Sequence, residues 1–278
     1  MNAEVDMTRR LLDTIAHRLQ DAVFGKDVPN WGSKTGLASA VAALSVEDTA
    51  SKAVRAVAQL CGQWLDKAGA LKTTEPLRGD VFGEIRKVLR PAEKKEEKLE
   101  RLLAAADDRL FNRFNFLSGT TPPPVDEGAP SLDATTRSMT VDLVKLADSG
   151  DKVAEFIELK DEDNTSDSPL SALFEVLMYY HLYAALKRTY GESLPDLAQQ
   201  FDLVVLAPTE YYGHWEFDPQ DGSTQDALRR IENALHKAST RLPNTRVHLA
   251  FRELKLNKDM VSIAAICLKM VREAIPED

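Results

Sequence analysis

The stretch Val141–Lys160, VDLVKLADSGDKVAEFIELK, constrains the chain more than any other. Two apolar, β-branched runs flank Ser149-Gly150-Asp151, a turn signal, so the stretch predicts a β-hairpin. Residue chemistry then sets its register. With an odd number of residues in the loop, Asp142 faces Glu158, Leu143 faces Ile157, Val144 faces Phe156 and Lys145 faces Glu155. Apolar meets apolar and cation meets anion. A slip by one residue sets Val144 against Glu155 and Asp142 against Ile157, and turns each side chain toward the wrong neighbour.

In the favoured register Asp142 and Glu158 share one face of the sheet. Two carboxylates directly opposed repel each other unless a cation lies between them. Lys160 follows Glu158 by two residues, so strand alternation places it on that face as well. The pattern predicts a hard oxygen-ligand site for Mg²⁺ or Mn²⁺ with an ammonium beside it. Such a site can polarise a phosphodiester, lower the pKa of a bound water and stabilise a pentavalent transition state. The competing reading is a surface hairpin whose end is merely charged.

This arrangement resembles the PD-(D/E)XK, or restriction-endonuclease-like, nuclease superfamily. Asp142 falls where that family has its aspartate, with Val141 where a proline often stands, and Glu158-Leu159-Lys160 matches the (D/E)-x-K element. The resemblance implies metal ligation by Asp142 and Glu158, a further ligand in the carbonyl of Leu159, and orientation or activation of the attacking water by Lys160. It also implies an acidic ligand on the helix before the sheet. Glu97 and Glu100 are the candidates, and the sequence does not choose between them. Some members carry Q-x-x-x-Y on the helix after E-x-K. Here the residues are Glu175 and Tyr179, and the glutamate weakens a DNA-contact role at position 175.

The remaining chain supplies the context. Amphipathic or apolar helices are expected at 7–24, 36–44, 45–68, 78–89, 91–116, 168–190, 226–238 and 260–274. Ser45 reads as the N-cap of the third of these. Ser168 with Pro169 opens the sixth, which is apolar almost all round and so reads as buried. The run Phe201–Ala207 predicts a central strand, parallel to the Glu158 strand by a helical crossover, and Arg246–Phe251 a further strand. Residues 118–134, with Pro122-Pro123-Pro124, form the clearest linker. The segment TEYYGHWEFDPQDG is either an exposed aromatic loop or a loop folded under its own aromatics. His181 has no second histidine at metal spacing and reads as a structural residue.

These elements predict an α/β (α+β) fold with a restriction-endonuclease-like core. A mixed β-sheet flanked by helices occupies 91–278, and an all-helical region occupies 1–90. Cys61 and Cys267 sit in apolar helical runs and read as buried hydrophobes. Met1–Arg10 is polar and no run is apolar enough to span a membrane, so a cytoplasmic protein is expected. The formal charge of −9 argues against a non-specific nucleic-acid coat, though a local basic groove would serve a nuclease. The expected function is metal-dependent hydrolysis of phosphodiesters, in DNA above all, in defence or repair. The alternative is an inactive nuclease-like module that binds a protein or nucleic acid. The sequence leaves a homodimer or a protein partner open.

Overall fold

The computed structural model describes residues 20, 21, 23, 24, 30–67, 95–107, 109–115, 140–145, 153–191 and 198–255. The expected turn at 149–151, the helices at 78–89 and 260–274, the proline-rich segment and Cys267 lie outside these residues. The elements are α1 (Lys34–Leu44), α2 (Glu47–Lys67), α3 (Lys95–Ala106), β1 (Leu110–Asn115), β2 (Thr140–Lys145), β3 (Val153–Leu159), α4 (Pro169–Tyr190), β4 (Gln200–Ala207), α5 (Thr209–His214), α6 (Gly222–Lys237) and β5 (Arg246–Glu253).

The strands form one mixed sheet in the order β1-β2-β3-β4-β5. β1, β2 and β3 run antiparallel in turn, while β4 and β5 run parallel to β3. The β2–β3 register pairs Leu143 with Ile157, Val144 with Phe156 and Lys145 with Glu155, as residue chemistry demands. Parallel pairing of β3 with β4 requires a crossover, and α4 supplies it. Ser168 caps that helix by accepting the N–H of Ser171, Pro169 fills its first turn, and Gly191 ends it at φ +54°.

One expected helix is shorter than its pattern. Residues 91–116 read as continuous helix, but α3 stops at Ala106 and Leu110–Asn115 is a strand. Asp107 breaks the run: its carboxylate accepts the N–H of Arg109, and its carbonyl accepts that of Leu110. Asn112, Phe114 and Asn115 are poor helix formers, so pairing with β2 wins. Ser45 also differs from expectation. It closes α1, with its hydroxyl bonded to the carbonyls of Val41 and Ser223, instead of opening α2.

Two cores hold the sheet. The larger joins α1, α2, α4 and α6 to one face; Leu37, Val57, Leu177 and Ile231 meet Phe156, Phe201 and Leu249 there. The helices at 34–67 therefore share a core with the sheet. Cys61 is buried in it. On the other face, Leu99, Leu103 and Ala104 of α3 pack on Leu143, Ile157, Leu159 and Val204. The segment after β4 forms α5, and Tyr211, Tyr212 and Trp215 are buried. Tyr212 donates to the carbonyls of Val205 and Arg252, so these aromatics fasten the sheet and offer no stacking platform. Among the described residues, no helix is long and apolar enough to cross a membrane.

Candidate metal centre

The site forms where the β2–β3 ladder opens. Strand pairing runs to Leu143–Ile157 and no further. At the next step the carboxylate of Asp142 accepts the N–H of Leu159 at 2.9 Å. A side chain thus takes the place of a ladder carbonyl, and the sheet splays around it. Leu159 meets the site through this N–H, while its side chain belongs to the core under α3.

Two carboxylates reach this opening from α3. Glu96, Glu100 and Asp142 each offer an oxygen, and all three atoms lie within 4.8 Å of one another. Glu96 and Glu100 are four residues apart and share one helix face. Like charges at that spacing repel, and burial compounds the cost. Burial, with Asp142 and other carboxylates adding to it against Lys160, pushes Glu96 up to about 7. Burial, then Asp142 and Glu96, push Glu100 up to about 9, against Arg101 and Lys160.

Lys160 stands beside this group with its side chain 4% exposed. Its Nζ lies 2.6 Å from Oε1 of Glu158, and 3.8 Å from both Oδ2 of Asp167 and Oε2 of Glu175. Burial alone would lower its pKa, but Glu158, Glu175, Glu96 and Asp167 more than offset that, so it stays an ammonium well above its ordinary value. Burial and the charges of Asp142 and Glu175 push Glu158 well above the usual carboxylate range, with Lys160 opposing. Oε2 of Glu158 is buried with no hydrogen-bond partner. Among the described residues, carboxylates therefore outnumber cations in this corner of the protein.

Of the residues singled out in the sequence, Asp142, Glu158, Leu159, Lys160, Glu100, Glu175 and Tyr179 gather here. The close set of three takes in Asp142 and Glu100 but not Glu158, whose carboxylate is engaged by Lys160. Glu97 does not join them. It lies 3.8 Å from Arg101 one turn along, about 100° around the helix from Glu96. Glu96, Asp167 and Tyr211 were missed. The signal for Glu96 was present: Glu96 and Glu100 are acids at i, i+4 on one helix face, while Lys98 between them is exposed on another, so the pair is a poor helix surface but a good half-chelate. Glu175 and Tyr179 are joined by a hydrogen bond of 3.1 Å. His181 is buried, its pKa lowered to about 3 by burial, and it ligates nothing in this group.

The donor set fits a divalent cation. Ligand oxygens at about 2.0–2.6 Å from one ion stand at most about 5 Å apart, which the 4.8 Å spread satisfies. An ion there would relieve the repulsion that burial imposes on Glu96 and Glu100. No family model matches the chain, and no curated protein or solved structure matches it.

Proposed function

We propose that the protein is a Mg²⁺-dependent nuclease of the restriction-endonuclease-like kind, cleaving phosphodiester bonds in DNA. The observation that carries this reading is the meeting of Asp142, Glu96 and Glu100 within 4.8 Å, beside the buried Lys160 ammonium. The order α3-β1-β2-β3-α4-β4, with aspartate at the splay and E-x-K on the next strand, supports it. So does the position of the site at the carboxyl ends of the parallel strands β3 and β4.

Glu96, Glu100 and Asp142 would hold the ion, with Glu158 at the inner edge. When bound, the ion polarises a phosphoryl oxygen and acidifies a water. The chain's own groups do the rest. Asp142 is fixed in place by the Leu159 N–H, so its carboxylate needs no reordering. Lys160 remains charged, so it orients water and opposes developing negative charge instead of abstracting a proton. The leucines of α3 keep the inner side of the site dry.

The test is cleavage of linear and circular DNA with Mg²⁺ or Mn²⁺, comparing the wild type with Asp142→Asn and Lys160→Ala. Metal-dependent cutting that both variants lose is the expected result. No cutting by the wild type of DNA or RNA would favour an inactive module that binds a protein or nucleic-acid partner.

A further inference from the structure

Glu175 and Tyr179 stand where related signatures place a substrate contact, yet their geometry serves another purpose. The two carboxylate oxygens of Glu175 have separate tasks. Oε1 accepts the hydroxyl of Tyr179 at 3.1 Å, and Oε2 lies 3.8 Å from Nζ of Lys160. Tyr179 is 4% exposed and its hydroxyl is occupied. A polyanionic substrate would meet a carboxylate here, which repels it. The ammonium is instead held from three elements at once. Glu158 reaches it from β3 and Glu175 from α4, while Asp167 reaches it from the loop between them. That loop is itself fixed: Asn164 Nδ2 donates to Asp167, and Tyr211 donates to the Asp167 carbonyl at 2.7 Å. The backbone of Lys160 is tied to β4 through the carbonyl of Leu206.

We propose that Glu175, braced by Tyr179, is a positioning residue that fixes the Lys160 ammonium at the metal centre. The E-x-x-x-Y spacing of α4 then acts on the lysine, not on the nucleic acid. A lysine side chain has four rotatable bonds, and an ammonium left free among them spends little time in any one geometry. Carboxylates from three elements restrict it to one. The effect on rate rests on the nuclease reading; the restriction of the ammonium does not.

Two measurements separate these levels. The first is the ¹H–¹⁵N correlation of the Lys160 ζ-ammonium in metal-free, ¹⁵N-lysine-labelled full-length protein, assigned by its loss in Lys160→Arg. A caged ammonium exchanges slowly and gives a resolved signal in the wild type. Glu175→Gln keeps the shape and an acceptor for Tyr179 but removes the charge, and should broaden or shift that signal. Tyr179→Phe, which leaves the charge and frees the carboxylate, should do so to a lesser degree and covers the case of Glu175→Gln failing to fold. The second is kinetics on DNA. Glu175→Gln should lower kcat by roughly ten- to hundred-fold at unchanged KM. Three results overturn the proposal: no resolved ammonium signal in the wild type, a signal unmoved by both variants, or a raised KM at unchanged kcat, as a substrate contact would give. A wild type that never cleaves nucleic acid sinks the nuclease reading alone, because the ammonium signal still decides the positioning role.

Discussion

Asp142 accepts the backbone N–H of Leu159 at the point where β2 and β3 part, so one carboxylate both terminates the ladder and faces the acids of α3. The two roles can be separated. Asparagine keeps an oxygen for the N–H and removes the charge. Asp142→Asn should therefore stabilise the metal-free protein at alkaline pH, where Glu100 would otherwise ionise beside the Asp142 charge. It should weaken Mn²⁺ binding by at least about ten-fold, measured by calorimetry. Asp142→Ala loses the hydrogen bond too and should be less stable than the asparagine variant. Equal Mn²⁺ affinity in wild type and Asp142→Asn would remove Asp142 from the ligand set.

The phase of α3 gives a second prediction. Glu96 and Glu100 face Asp142, whereas Glu97 lies against Arg101. Glu96→Gln should weaken Mn²⁺ binding by about ten-fold or more, and Glu97→Gln should leave it within about two-fold of the wild type. The pair also separates a real ligand from general loss of negative charge, because each variant removes one carboxylate from the same helical turn. The reverse ranking would mean that the helix sits one residue out of phase.

Proton linkage supplies the third. Glu96 is pushed up to about 7 and Glu100 to about 9, burial being the first cause in both. Unfolded, both release their protons near 4.5. Between that value and about 9 the folded state holds the extra protons, so stability falls as pH rises. Groups held low, such as Asp107, act below this window. The metal-free Tm should drop by roughly 5 °C or more from about pH 5 to about pH 9. Saturating Mg²⁺ should raise Tm more at the alkaline end, where the carboxylates are free to bind it. Glu100→Gln should flatten the metal-free slope. Scanning fluorimetry across pH reads all three, and a metal-free Tm that climbs steadily over this range would contradict the linkage.

How far the sequence could be read follows from the period of each element. The β2–β3 register was legible because strand chemistry alternates every two residues and three cross-strand pairs agree. The start of α4 was legible because Ser168 and Pro169 act locally. The ligand set of α3 was not, since one residue of helix phase turns a side chain by about 100°, and the phase depends on which row of leucines meets the sheet. Strand β1 was hidden because Glu93–Arg101 is so strongly helical that its pattern ran on past Asp107. The opening of the ladder at Asp142 has no local signature at all. It arises from β3 following β4 while β2 keeps to β1.

The buried pair of Glu158 and Lys160 gives the last prediction. With Nζ 2.6 Å from Oε1 and both side chains almost wholly enclosed, removing the cation takes from Glu158 the charge that opposes Asp142 and Glu175 there. Lys160→Met should cost about 3–5 kcal/mol near pH 8, because an uncompensated buried charge is far worse than a missing pair. Near pH 5 the cost should shrink: Glu158, already above the usual carboxylate range, then takes a proton and becomes neutral. Lys160→Met with Glu158→Gln should recover most of the loss at pH 8, since both partners of the charge pair are then gone. Urea unfolding of the wild type, Lys160→Met, Glu158→Gln and the double variant at both pH values measures the cycle. A loss that is the same at both pH values, or that the second substitution fails to restore, would mean that the lysine's aliphatic packing and not its charge stabilises this corner of the fold.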